Sequence, residues 1–309
     1  MKEASVSDDN NMIDLIISYK FNDIYYSLNY ISDNYQVIHI SNKHEVLRFI
    51  DENNMHNIVS KNRFPFVQVN KLLREKKFNV DTVYLSNLEL TISQYIISYI
   101  NPRQIVIVED GHYNYHYNFI ENNLKQKFKN VITHRDHKWF KNKVNKVQIF
   151  MPDKVHESFK SFDVDKLILK PIEDIPAHLI QKLDNKKIFI GQPLSQPRKK
   201  DNKQEKENYE RIVNNIIKKY EIDYYIEHRY SKGENIINKY DFYQHGYTLE
   251  MIAPHIKNLT IYTFGSSLII SLSGYEHIDC FIVSHSQIYS GSSFLTEVCT
   301  NELLIEDEK

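Results

Sequence analysis

Between Ile13 and Val108 the chain alternates two hydrophobic patterns. Short, mainly apolar runs at 13–18, 36–40, 56–59, 82–85 and 104–108 have the length of strands, and the Ile and Val content of 104–108 fits a strand covered on both faces. Between them, at 22–31, 43–52, 67–77 and 91–100, apolar positions recur over stretches of helical length. Such alternation predicts βαβ units on a parallel sheet. A further helix is predicted over 114–128. From 131 to 161 the rhythm weakens in a segment rich in Lys, His and Asn, and the change of domain is placed there. The rhythm resumes with strands at 165–169 and 187–191, a helix at 204–220, a strand at 223–228, a helix at 248–255, a strand at 259–262, a helix opening at Ser266 and a strand at 279–283.

Two rhythmic halves predict an α/β fold of the GT-B type, two Rossmann-like domains facing across a cleft, over residues 1–150 and 151–309. Composition agrees with two cores: 309 residues at 41% hydrophobic content can bury both. The charges nearly cancel, 39 Lys and Arg against 40 Asp and Glu, so no nucleic-acid partner is expected. Seven glycines leave little room for glycine-rich phosphate loops. Cys280 and Cys299 form neither a disulfide framework nor a metal-ligand spacing, which points to a reduced, cytoplasmic setting. No run approaches the roughly 20 apolar residues that span a bilayer, and the first eleven residues are polar and unlike a signal. The charged stretch Pro193–Lys206 reads as a solvated, moving loop; alternatively its basic half leans on anionic lipid, a peripheral contact with the inner face of the cell membrane.

Candidate chemistry lies at the predicted strand ends. The run 104–108 delivers Glu109-Asp110-Gly111 to the rim of a sheet, where α/β folds place their ligands. Asp110 there is a candidate acid or base, or a cap on the helix at Asn114. In the second half, Gly191-Gln192, His228-Arg229 and Gly265-Ser266-Ser267 each follow a strand. Paired serines opening a helix offer hydroxyls and amides to a phosphate, or simply cap the helix. A neighbouring histidine can protonate a departing phosphate, or serve only structure. Glu250 opens a helix in Tyr247-Thr248-Leu249-Glu250, as a ligand or as an ordinary first-turn acid. His112 and His116 stand four apart, near His134 and His137, without the glutamate of an H-E-x-x-H site, so no zinc is expected. Tyr113, Tyr115 and Tyr117 suit packing and the lining of a sugar site.

Glu109-Asp110-Gly111, His228 and Ser266-Ser267, in this order on a chain of this length, resemble the bacterial sialyltransferases of glycosyltransferase family 52, from about Met12 to Val283. The resemblance implies an enzyme that moves sialic acid from CMP-sialic acid to a surface glycan of lipooligosaccharide or capsule. It makes 1–150 the acceptor-side domain and 151–309 the CMP domain. It gives Asp110 the role of general base, Glu109 an orienting role, His228 the departing phosphate, Ser266 and Ser267 the binding of that phosphate, and Glu250 the ribose hydroxyls. Where the family has His-Pro this chain has His228-Arg229, so the turn differs or a positive charge is added near the phosphates. Gly191 and Gln192 join the nucleotide-binding candidates by position. No Asp-x-Asp motif stands at a predicted strand end, and the charge that grows in the reaction sits on one phosphate, so an inverting, metal-independent displacement is implied, with no cofactor beyond the donor. A homodimer is implied as well. Two alternatives stay open: a GT-B enzyme using CMP-Kdo or a UDP-hexose, and a non-catalytic subunit of a capsule-synthesis complex.

Overall fold

A computed structural model describes residues 12–41, 49–59, 65–119, 123–192, 203–228, 235–286, 288, 293–299 and 301–305. The chain forms two compact units, Met1–Lys170 and Pro171–Lys309. The first is a parallel sheet of β1 (Ile13–Ser18), β2 (Tyr35–Ser41), β3 (Met55–Val59), β4 (Val80–Leu85), β5 (Gln104–Val108), β6 (Val144–Ile149) and β7 (Asp163–Lys166), in the order β3-β2-β1-β4-β5-β6-β7. Its helices are α1 (Phe21–Leu28), α2 (Phe66–Lys76), α3 (Thr91–Ile100), α4 (His112–His116), α5 (Leu124–Thr133) and α6 (His137–Lys143). Leu15, Ile16 and Ile17 in β1, Val83 and Leu85 in β4, and Ile105 and Val108 in β5 are fully buried, which is why these strands read as mainly apolar runs. Strand order reverses between β1 and β4, making that junction a topological switch point. Ile17 is level with Leu85, and Leu85 with Ile107, so β1, β4 and β5 release their chains on one rim.

The second unit is a parallel sheet of β8 (Lys186–Ile190), β9 (Tyr224–Ile226), β10 (Leu259–Thr263), β11 (Ile278–His285) and β12 (Asn301–Ile305), in the order β12-β11-β10-β8-β9. Its helices are α7 (Ala177–Leu183), α8 (Lys203–Lys219), α9 (Leu249–Ile252), α10 (Leu268–Leu272) and α11 (Ser293–Val298). Tyr209, Ile212, Val213, Ile216 and Ile217 recur on one face of α8 and are buried among Phe189, Tyr225, Phe264 and Val283. Each such side chain contributes roughly 1.5–3 kcal/mol of burial free energy. The reversal here lies between β8 and β10.

The α/β fold of two Rossmann-like units is as expected, but the boundary moves. The strand expected at 165–169 to open the second domain is β7, at 163–166, and it pairs with β6 in the first sheet. The first unit therefore runs to Lys170 and not to residue 150. A register reason underlies this: Lys146 through Ile149 line up with Asp163 through Lys166, and Lys146 bonds Asp165 at 2.5 Å across the pair. The weakly patterned segment 131–161 conceals the end of α5, the whole of α6 and β6 itself. The helix expected over 114–128 is two, α4 and α5. Of the helix expected at 43–52, residues 43–48 lie outside the described residues, as do 193–202 of the charged loop.

Candidate functional site

Three adjacent strand ends of the first sheet converge on Asp110. Lys20 follows β1, Asn87 follows β4 and Asp110 follows β5. Lys20 Nζ forms a close ion pair with Asp110 Oδ1, and Asn87 Nδ2 donates to Asp110 Oδ2 at 3.0 Å. Lys20 and Asn87 thus flank the β1/β4 switch point, the place where sheets of this kind expose free backbone ends to ligands. The Asp110 side chain is only 8% exposed. Burial pushes its carboxyl above the ordinary aspartate value, the Lys20 ammonium pulls it back, and the neighbouring Asp23 carboxylate adds to the rise.

The supports of this group are local and readable. Gly111 has φ 67, a backbone state that favours glycine, and it turns the chain directly after the acid. The side chain of Asp110 does not cap α4, whose preceding residue is Gly111; instead the Asp110 amide donates to Asn114 Oδ1 at 2.6 Å. Capping, one of the two uses considered for Asp110, is therefore not its use. Asp23, in the first turn of α1, accepts from the amides of Tyr19 (2.8 Å) and Lys20 (3.0 Å) and fixes the turn that presents Lys20. Asn87 Oδ1 accepts from the Glu89 amide at 2.9 Å, leaving its NH2 group to face Asp110. Ser93 Oγ donates to the Asn87 carbonyl at 3.0 Å and lies 2.8 Å from the Tyr19 hydroxyl.

Glu109 points elsewhere. It is 3% exposed, and its Oε2 accepts from the Tyr115 hydroxyl at 2.7 Å and from the Phe150 amide at 3.0 Å. Burial raises its pKa to about 7, against the opposing pull of these donors and of the Gly111 amide. Tyr115 is thereby a structural partner and not part of an open sugar-lining surface. Tyr113 and Tyr117 stack at 5.6 Å, with Tyr117 59% exposed. The side chain of His112 lies outside the described residues, and among the described residues no group of three or more His, Cys, Asp or Glu is arranged to hold a metal ion.

In the second unit the register sets Ile190 level with both Ile226 and Thr263. Gly191-Gln192, His228 and Gly265-Ser266-Ser267 therefore emerge along one rim, from neighbouring strands β8, β9 and β10. Arg229 lies outside the described residues. Thr263 Oγ1 accepts from the Ser266 amide at 3.1 Å, so that amide is already used; Ser267 is exposed and its side chain caps nothing. Glu250 is 1% exposed in α9, and its Oε1 lies 3.5 Å from the Ser271 hydroxyl of α10, the helix that Ser266 and Ser267 precede. The structure brings Glu250 to the serine-bearing helix, buried against it.

Gly191 has a packing reason of its own. A Cβ there would meet the Tyr225 hydroxyl oxygen at 2.2 Å and its ring at 2.7 Å. Tyr225 is fully buried and stacks on Phe189. Gly191→Ala is therefore expected to destabilise the protein by about 1–3 kcal/mol, read as a lower urea midpoint, with part of the loss regained in Gly191→Ala/Tyr225→Phe. An unchanged midpoint would mean that Tyr225 has room to swing away.

Lys20, Asn87, Asp23 and Asn114 were not among the site residues expected from the sequence. Each stands at a strand end or in a first helical turn, which was a usable signal; what was lacking was the strand order that makes β1, β4 and β5 neighbours.

A model of glycosyltransferase family 52 matches residues 20–286. No curated protein matches the chain significantly. Among solved structures, that of the spinosyn forosaminyltransferase SpnP covers 96% of this chain and 86% of its own, at 10% identity and a TM-score of 0.50. A glycosyltransferase from Rickettsia africae ESF-5 covers 97% and 85%, at 16% identity and a TM-score of 0.41. The likeness to SpnP is one of fold, the GT-B type with two Rossmann-like domains.

Proposed function

The chain belongs to glycosyltransferase family 52, and from that membership we propose that it moves sialic acid from CMP-sialic acid to a galactose-terminated surface glycan by an inverting, metal-independent displacement. The observation that carries this reading is the meeting of Lys20, Asn87 and Asp110 at three adjacent strand ends. It supplies a buried carboxylate, oriented by one donor and paired with one cation that offsets part of the cost of burial, at the position the family resemblance gives to the base.

Asp110 removes the proton of the acceptor hydroxyl as that oxygen attacks the anomeric carbon of the sialyl group. The bond from that carbon to the CMP phosphate breaks, and the electron pair leaves with the phosphate. Ser266 and Ser267 hold the phosphate and His228 neutralises it, with Arg229 as an added cation and Gly191 and Gln192 on the same rim. Glu250 faces the ribose hydroxyls from its place beside α10. A single departing phosphate needs only hydroxyl, imidazole and amide donors. The enzyme acts as a homodimer.

The test is CMP release from CMP-sialic acid with and without lactose. Acceptor-dependent release is expected, together with a rise in melting temperature with CMP and none with UDP or GDP; saturation a hundredfold above Kd stabilises by about 2.7 kcal/mol. Stabilisation by UDP or GDP in place of CMP would assign another donor, and no response to any nucleotide would sink the enzyme reading.

A further inference from the structure

Helix α5 is built inside out. Its inward face is polar: Gln126, 2% exposed, exchanges amide hydrogen bonds with the buried Gln94 of α3 at 2.9 and 3.1 Å, and Thr133 is buried two turns on. Its outward face is apolar: Leu124, Phe128 and Val131, spaced i, i+4, i+7, are 83%, 68% and 71% exposed. An ordinary surface helix has the opposite polarity. One exposed apolar side chain needs no explanation, but a helical stripe of three marks a surface that is covered in use.

Around the stripe the charge has one sign. From Leu124 to Lys143, through α5 and α6, the chain carries seven lysines and arginines and a single acid, Asp136. The Asp136 carboxylate is taken by the Trp139 amide at 2.8 Å. Lys125, Lys127 and Lys138 are exposed. Trp139 lies under the Arg135 guanidinium at 4.7 Å and near Lys143 at 5.4 Å. The whole chain has a net charge of −1, so this basic field is local.

We propose that the α5–α6 face docks on an anionic lipid surface, with Leu124, Phe128 and Val131 entering the boundary between headgroups and acyl chains and the lysines meeting the headgroup phosphates. This goes beyond the transfer reaction and does not depend on it. A second copy of the chain across a twofold axis would set the same lysines against themselves. A nucleic acid would satisfy the lysines but has no use for an apolar stripe. An anionic bilayer takes both at once, as amphipathic interfacial helices with basic flanks do.

The experiment is co-sedimentation of the full chain with vesicles of phosphatidylcholine alone and of phosphatidylcholine mixed with phosphatidylglycerol. Binding is expected to the mixed vesicles only, and to weaken with salt. Leu124→Ser/Phe128→Ser is expected to lower the affinity about tenfold or more, and Lys125→Gln/Lys127→Gln about tenfold or more. All variants should keep the wild-type melting temperature and the wild-type rate on a soluble acceptor, since the altered side chains are exposed. Absence of binding to the mixed vesicles overturns the proposal. So does a variant that turns a dimer into a monomer with vesicle binding unchanged, which would assign the face to a second copy, or one whose melting temperature falls, which would show the stripe packed within the fold.

Discussion

Asp110→Asn is expected to lower the rate of transfer by about 10²–10⁴ while leaving the CMP-induced rise in melting temperature intact. The substitution keeps the shape of the side chain and removes the basic lone pair. Stability should change little: the buried carboxylate that is lost was costly to ionise. Lys20, 44% exposed, can turn to water when its partner becomes an amide. The same residue sets the acid limb of the wild-type rate profile. A base must be ionised to work, and burial raises this one above the ordinary aspartate value, so kcat/KM should fall on acidification at a pH above that of a free aspartate. Transfer retained in Asp110→Asn, as CMP released per turnover with acceptor present, would remove Asp110 from the reaction whatever its geometry.

Much of this site was legible in the sequence because it is built from strand ends. The apolar run 104–108 had to be a buried strand, Gly111 had to turn it, and the acid between them had to stand on the rim. Ser266, Ser267, Gly191 and His228 were found by the same logic, and the register of β8, β9 and β10 puts them on one rim. The partners of Asp110 were not legible. Lys20 and Asp110 are ninety residues apart, and their meeting depends on β4 inserting between β1 and β5, which is a property of topology and not of any local pattern. The domain boundary failed for a related reason. β7 is a short, charged edge strand, held to its neighbour β6 by Lys146 pairing with Asp163 and Asp165, and hydrophobic periodicity is weakest at an edge. α5 was expected only in part, as the end of one helix over 114–128, and its polarity was not expected: its buried face carries Gln126 and Thr133 and its exposed face Leu124, Phe128 and Val131, so the helical stripe was present but pointed outward.

Glu109, expected from the sequence only to orient, has its physical weight in stability. Glu109→Gln is expected to flatten the dependence of stability on pH. In the unfolded chain this carboxyl titrates near 4.5; in the folded protein burial raises it to about 7. The folded state therefore holds the proton where the unfolded state has lost it, and stability falls as pH rises through the window between the two values. The penalty is absent below pH 4.5 and complete above about pH 7. A shift of this size corresponds to about 3 kcal/mol. Glutamine is uncharged throughout, and its carbonyl oxygen can still accept from the Tyr115 hydroxyl and the Phe150 amide, which both bond the same oxygen of Glu109. Urea unfolding on either side of the window should thus show the wild type losing about 3 kcal/mol more than the variant on going from the acidic to the alkaline side. Parallel curves for the two proteins would mean that Glu109 ionises in the fold as easily as in water, and that the bonds joining the end of β5 to the end of β6 hold a carboxylate and not the neutral acid.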